Sequence, residues 1–477
     1  MDWEKNKLIK KYNIEPYKLK PNHIKYYYDR FPELCCKFVL EPISNTVGPF
    51  EFIKAITFLN QYYKDIKSDY YRNLFKYLIK NGEDFTNLRS KYYKDRIILE
   101  YLKFRPKTYI LTLWPFVKPE NIIDLIVFLK NYGYVYHTKK IKLTYNGALN
   151  LIYQLYSDTN RFPSIEKLKE KLNYLNWGID QKNTINIIVF ENTSNENISG
   201  SQAKLKTKIR DFVLQFFPGA KLRGDDLLHI NDNYYQTIEY SKIFFHKKSI
   251  LFLNKQNLSR YFSQSFNNCR LYINTVKKWI IDNVKLIDQE RFLFMGSVVL
   301  YLYGIRPCRD IDGVVCGVPI ESSSNDFIKK VASFFYQKDM KFFFADLGIM
   351  GTDYWKSQWD EKDARWFQML KILYRDQLIF DPEHHFYFNG LKFVSLKAEA
   401  IRKYIRRRYY DFGDLIMIME LTGVKMKLPP FDENLIKSED DKKNFIKEIV
   451  NYLIQKYNFD KQIAENLLLN YVSKNNL

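Results

Sequence analysis

Apolar residues recur at helical spacing through Phe52-Ile53, Ala55-Ile56, Phe58-Leu59 and Tyr62-Tyr63, the period of a helix with one buried face. Pro119-Glu120 then opens a run through Ile122, Ile123, Leu125, Ile126 and Leu129, and proline suits a first helical turn. Together these predict a mostly helical region over residues 1–132. From 133 to 262 the pattern changes. Tyr134-Val135-Tyr136 reads as a strand, Ser164 as the cap of a helix reaching Leu172, and residues 184–190 (TINIIVF) as a buried β-branched strand. Lys167 stands where a capping box would place Glu or Gln, so that box is incomplete. A polar loop ending in Gly200-Ser201 leads into a helix carrying Lys204, Lys206, Lys208 and Arg210, followed by a short strand at 227–230. Strands alternating with helices at this spacing predict a parallel sheet.

A second α/β unit is expected over residues 263–425. A helix across 271–284 precedes a short strand at 292–295, then Gly296-Ser297, a helical turn, a break at Gly304, and Asp310-Ile311-Asp312 leading into Gly313-Val314-Val315. Further on, Asn389-Gly390 between Phe386-Tyr387-Phe388 and Leu391-Lys392-Phe393 marks a hairpin. The helix expected after it starts at Leu396. The last stretch, 426–477, holds Pro429-Pro430, the acidic Glu439-Asp440-Asp441 and a helical pattern, and predicts a small helical C-terminal appendage. The fold class expected is thus mixed α+β and α/β over several domains: 1–132, 133–262, 263–425 and 426–477.

Composition alters this picture in two ways. The 477 residues are 46% hydrophobic, enough for sizeable cores, and Gly (17) and Pro (15) are too few for a collagen-like or low-complexity chain. The formal charge of +21, from 75 Lys and Arg against 54 Asp and Glu, points to a polyanionic partner. Abundant Lys, Asn, Ile, Tyr and Phe are also what an AT-rich genome encodes, so codon usage accounts for some of that charge. No apolar run is long enough to span a membrane, and the N-terminus lacks an apolar signal core. Cys35, Cys36, Cys269, Cys308 and Cys316 show neither C-x-x-C pairing nor zinc spacing. Reduced thiols in a cytoplasmic compartment, and no membrane partner, are expected.

The chemistry concentrates at Gly296, Ser297, Asp310 and Asp312. Residues i and i+2 of a strand share a face, so Asp310 and Asp312 would set two carboxylates together, a repulsive pair unless a cation intervenes. Oxygen-rich sites suit Mg²⁺. Glycine lets a backbone approach a phosphate, and the serine hydroxyl adds a donor. Asp-x-Asp alone is common as a polar strand edge; the preceding Gly-Ser on a strand–helix–strand pattern makes it informative. This segment resembles the nucleotidyltransferase superfamily of DNA polymerase beta, poly(A) polymerases and minimal nucleotidyltransferases. GSVVLYLYGIRPCRDID is also similar to the matching segment of poxvirus poly(A) polymerase catalytic subunits. The resemblance covers residues 290–420. It implies a polymerase beta-like fold, bound Mg²⁺ or Mn²⁺, an NTP donor with ATP first, and RNA as acceptor. A viral chain and an accessory protein or oligomeric partner fit the same resemblance.

The resemblance also implies a third carboxylate on a later strand, with Asp381, Asp346 and then Asp376 as candidates for ligand or base. Arg408, Asp411, Asp414 and Leu415 match a downstream pattern of minimal nucleotidyltransferases, with Tyr410 in place of its lysine. That pattern is typical of members acting on sugars, small molecules or proteins, so this acceptor class stands as an alternative. A non-catalytic RNA- or protein-binding scaffold is another. Arg402, Arg406, Arg407, Lys204 and Lys208 are candidate RNA contacts, against the plainer reading of solvated helix faces. Arg408 fits better as an ion-pair partner of Asp411 and Asp414. His229 with Asp232 lies at a strand end, where ligands bind in open sheets. His384-His385 reads as part of an exposed hairpin.

Overall fold

The computed structural model describes Asp95, Ile98, Leu99, Leu102 and residues 106–475, except 158–163, 176, 178–182, 202, 219–221, 264–266, 285–288, 290–291, 309, 316–340, 347–360, 371–376, 381, 427–428 and 431–435. The helix expected at residues 52–63 lies outside the described residues. The chain forms two compact units, Met1–Asn254 and Lys255–Leu477, each containing one small sheet. Among the described residues no helix is long and apolar enough to cross a membrane.

In the first unit the chain runs β1 (Thr108–Leu113), α1 (Pro119–Leu129), β2 (Gly133–Lys142), α2 (Tyr145–Tyr156), α3 (Ile165–Tyr174), β3 (Thr184–Asn192), α4 (Lys204–Leu214), β4 (Leu228–Ile230) and α5 (Tyr234–Phe244). Ser164 caps α3 by accepting the Lys167 N–H at 3.5 Å, and Pro119 opens α1. The sheet order is β2-β3-β1-β4, and every pairing is antiparallel. This corrects the expected parallel sheet. The strand TYILTL, inside the region expected to be helical, is the cause. Helical crossovers do join strands of like direction, β1 to β2 through α1 and β3 to β4 through α4 and a short helical turn at Gly224–Leu227. However, β3 slots between β2 and β1, and β1 between β3 and β4. Like-directed strands are therefore never hydrogen-bond neighbours, the split βαβ arrangement.

One face of this sheet buries Tyr109, Leu111, Leu113, Ile188, Phe190, Leu228 and Ile230 under Leu125 and Leu129 of α1 and Leu205, Ile209 and Val213 of α4. At about 25 cal/mol per Å² of apolar area, such a layer is the main stabilising term of the unit. The opposite face is also buried and mixes apolar Ile110, Ile187 and Val189 with polar residues, among them Thr112 paired to His229 in register. Tyr156 of α2 and Tyr240 of α5 close over it.

The second unit runs α6 (Asn267–Asn283), β5 (Phe292–Met295), α7 (Ser297–Leu302), β6 (Asp310–Val315), β7 (Lys341–Asp346), α8 (Glu361–Met369), β8 (His385–Phe388), β9 (Leu391–Val394), α9 (Leu396–Arg406), α10 (Tyr409–Thr422), α11 (Glu439–Tyr457) and α12 (Lys461–Asn475). Its sheet is mixed, in the order β7-β6-β5-β9-β8, with β6-β7 and β5-β9 parallel and the other pairs antiparallel. FLFM of β5 is buried at all four positions, as a strand inside a covered sheet requires. Asn389 (φ 47°) and Gly390 (φ 77°) both take the left-handed conformation that a two-residue hairpin turn needs. The hairpin is buried rather than exposed: His385 to Phe388 are all inside, with His385 edge-on to Tyr387.

A buried ionic cluster joins the pieces of this unit. Asp414 of α10 accepts from Arg306 through Nε at 2.8 Å and Nη2 at 3.0 Å. Lys403 of α9 lies 2.6 Å from Asp414 and 3.3 Å from Asp411. Tyr452 and Tyr457 of α11 donate to the same Asp414 oxygen at 2.8 and 2.7 Å. The C-terminal helices are thus built into the unit rather than appended to it. Burial by itself would raise the Asp414 carboxyl; Lys403 and Arg306 more than offset that and hold it well below the usual carboxylate range. Burial would lower Lys403, and Asp414 and Asp411 turn that shift upward.

Breaking a buried ion pair from one side costs about 3–5 kcal/mol, so Asp414→Ala should lose about that much in urea denaturation. The folded-state carboxyl titrates below its unfolded value, near 4. Its contribution is therefore complete above about pH 4 and is lost as pH falls. The stability gap between the wild-type chain and Asp414→Ala should narrow progressively below that point.

Candidate functional site

The chain leaves β5 at Met295 and turns at Gly296 into α7. Gly296 adopts φ 79° and ψ −143°, a region open to glycine and costly for other residues. β6 runs antiparallel beside β5, with Met295 opposite Asp312. Asp312 therefore sits next to the turn by register alone. Its carboxylate packs so closely that a Cβ built on Gly296 would meet Asp312 Oδ2 at 2.3 Å. Backbone conformation thus favours glycine here, and any side chain would have to push the Asp312 carboxylate aside.

A second carboxylate reaches the same residue. Glu399, in the first turn of α9, accepts the Gly296 N–H through Oε2 at 3.1 Å. Glu399 is 2% exposed, and Arg402 Nη1 lies 3.7 Å from that same oxygen. Sequence reading missed Glu399. The available signal was small: an acidic residue between Ala398 and Ala400, whose short side chains mark a closely packed helix face.

Other expected residues fall as follows. Asp310 occupies the ladder position two before Asp312, opposite Lys341 and beyond the end of β5, on the side of the Gly-Ser turn. Its side chain lies outside the described residues. Ser297 is the first residue of α7 and is half-buried. Asp346 pairs with Val315, three positions and about 10 Å along the strand from Asp312. The register therefore does not bring Asp346 to the turn. Asp381 and Asp376 lie outside the described residues. Among the described residues, no three His, Cys, Asp or Glu side chains gather into a metal-sized group. Asp312 and Glu399 are the two carboxylates described at Gly296.

The basic candidates divide. Arg402 is turned inward, against Glu399 and over the Trp366 ring at 5.7 Å, while Trp366 Nε1 donates to the Ala398 carbonyl. Arg406 and Arg407 are half-buried at the end of α9, where positive charge favours the helix C-terminus. Arg408 pairs with Asp411 at 2.6 Å and stacks on Tyr410 at 4.3 Å, while Asp414, the other partner expected for it, is paired with Arg306 and Lys403 instead. On α4 the four basic residues do not form one surface. Lys204 is exposed, and Lys208 pairs with Glu196 at 2.6 Å. Lys206 is fully buried and donates to Asp232 and to the carbonyls of Ile230 and Asn231. Burial lowers its ammonium pKa, which Asp232 offsets only in part.

His229 is a core residue with both ring nitrogens engaged. Tyr240 spends its proton on the Leu155 carbonyl at 2.7 Å, so it accepts from Nε2–H at 3.1 Å. Nδ1 lies 3.1 Å from the Tyr156 hydroxyl.

No known protein family, curated protein or solved structure matches this chain.

Gly296→Ala should cost about 1–3 kcal/mol from the backbone conformation alone, and displacement of Asp312 adds to that. Urea denaturation of the two chains measures the combined loss, and a crystal structure of the variant shows whether Asp312 has moved.

Proposed function

We propose that the second unit is a metal-dependent nucleotidyltransferase that moves a nucleoside monophosphate from an NTP to an RNA 3′ end. One observation carries this reading: the strand–Gly-Ser–helix–strand element holds the Asp312 carboxylate against the Gly296 backbone. That arrangement sets an anionic, oxygen-donor group beside the turn that leads into the half-buried Ser297 at the start of α7. It supports the resemblance on which the reading was first made.

Asp310 and Asp312 offer hard oxygen donors that suit Mg²⁺ or Mn²⁺. An ion bound there would polarise a phosphoryl oxygen of the donor and neutralise charge on the leaving pyrophosphate. Ser297 would orient the triphosphate through its hydroxyl. The acceptor hydroxyl would attack the α-phosphorus in line, its proton passing to a nearby carboxylate or water as the bond to pyrophosphate breaks. RNA as acceptor fits the +21 charge, because lysine and arginine gain affinity by neutralising phosphates. The sign favouring a sugar, small-molecule or protein acceptor was the Arg408, Asp411 and Asp414 pattern. Those side chains serve the buried ionic cluster, so packing accounts for them without any acceptor.

The test incubates the full chain with Mg²⁺ or Mn²⁺, each labelled NTP, and an oligo(A) or mixed RNA primer. Primer extension is expected, falling by more than about 100-fold in Asp312→Ala, beyond the 10–100-fold that loss of a supporting contact around a metal costs. Label on a protein or small acceptor without extension would move the activity to the second acceptor class. Binding of RNA with no transfer to anything would leave a scaffold and sink the catalytic reading.

A further inference from the structure

We propose that Glu399 is a positioning residue for the transfer site: it acts on the donor nucleotide through Gly296 rather than by touching it. This inference rests on the nucleotidyltransferase reading above.

A first-turn glutamate ordinarily points to water and gains a few tenths of a kcal/mol from the helix dipole. Glu399 instead is buried, and its carboxylate reaches a residue 103 positions away in sequence. Burying an ionised carboxylate is costly unless it is paired and hydrogen-bonded. Here the compensation consists of one backbone N–H and the guanidinium of Arg402. The helix cap does not need this side chain, since Ser395 already accepts the Ala398 N–H at 3.3 Å. What the contact achieves is local. Glu399 fixes the Gly296 N–H on one side while the Asp312 carboxylate closes against the same glycine. A glycine at positive φ has more freedom than any other residue, so an unclamped turn would sample several orientations. With both carboxylates in place, the Gly296–Ser297 peptide and the Ser297 hydroxyl hold a single direction toward the donor. Arg402 balances the Glu399 charge, so the clamp adds less net repulsion against an incoming triphosphate.

Four chains test this: Glu399→Gln, which keeps length and an acceptor oxygen; Glu399→Ala, which keeps neither; Gly296→Ala; and Glu399→Ala combined with Gly296→Ala. Steady-state transfer from Mg²⁺–NTP to the RNA primer is measured, with urea midpoints recorded in parallel. Glu399→Ala should raise KM for NTP and lower kcat/KM by about 10–100-fold, the usual effect of a supporting contact around a metal site. Glu399→Gln should recover most of that loss. The two alanine substitutions should be non-additive, because they act on the same turn. A Glu399→Ala chain with unchanged KM and kcat would overturn the proposal, as would additive effects. Loss of activity in step with the urea midpoint, with Glu399→Gln no better than alanine, would reduce Glu399 to a packing role and overturn it as well. If the wild-type chain transfers nothing, the nucleotidyltransferase reading fails and takes this inference with it. Normal wild-type transfer that Glu399→Ala leaves unaltered fails this inference alone.

Discussion

Asp414 is the group around which the second unit is built. A carboxylate so deeply buried can stay ionised only if cations and donors surround it, and three separate segments supply them. Arg306 comes from the loop that leads into β6, Lys403 from the last turn of α9, and Tyr452 and Tyr457 from α11. Each segment gains a satisfied polar group only when the others are in place. The cost of desolvation thereby becomes geometric specificity, since no partial arrangement satisfies the charge. Two of those segments continue directly into the candidate site. Arg306 precedes Asp312 by six residues, and Lys403 lies one turn along α9 from Glu399.

The site inherits its precision from these anchors. β5 and β6 run antiparallel, so the last residue of one strand faces Asp312 on the other. The turn after β5 then passes the Asp312 carboxylate, and glycine does so without displacing it. Glu399 enters from α9, whose start is set by the β8–β9 hairpin and the Ser395 cap and whose end is held by the Lys403 ion pairs. Rigid elements with locked side chains suit the proposed transfer chemistry, because small misplacements of reacting groups cost large factors in rate.

The first unit shows how residues with apparent chemistry can be used for packing. His229 and Lys206 combine reactive side-chain types with burial, and both are fully occupied: one by two tyrosines, the other by Asp232 and two carbonyls. The sheet face that carries His229 is a packed interior of apolar and hydrogen-bonded polar residues rather than an open surface. Its topology nonetheless preserves the logic of crossover helices, with like-directed strands interleaved rather than adjacent.

Local features were legible in the sequence where the physical signal is local. Pro119 and Ser164 at helix starts, the β-branched strand at 184–190, the Asn389-Gly390 turn and the Gly-Ser break after β5 all follow from backbone preferences or short-range periodicity. The adjacency of Asp312 to the turn also follows from strand–turn–strand spacing. Pairing and long-range contact were not legible. The strand at 108–113 was hidden in a helical region, and its insertion between β3 and β4 turned an expected parallel sheet into an antiparallel one. Glu399 on Gly296 and Asp414 among its four partners depend on which segments meet in three dimensions. Chain sequence by itself determined the turns, caps, strands and the place of the Gly-Ser and Asp-x-Asp residues. Tertiary structure decided which charges are buried together, because desolvation and pairing energies exist only once distant segments exclude water from the same space.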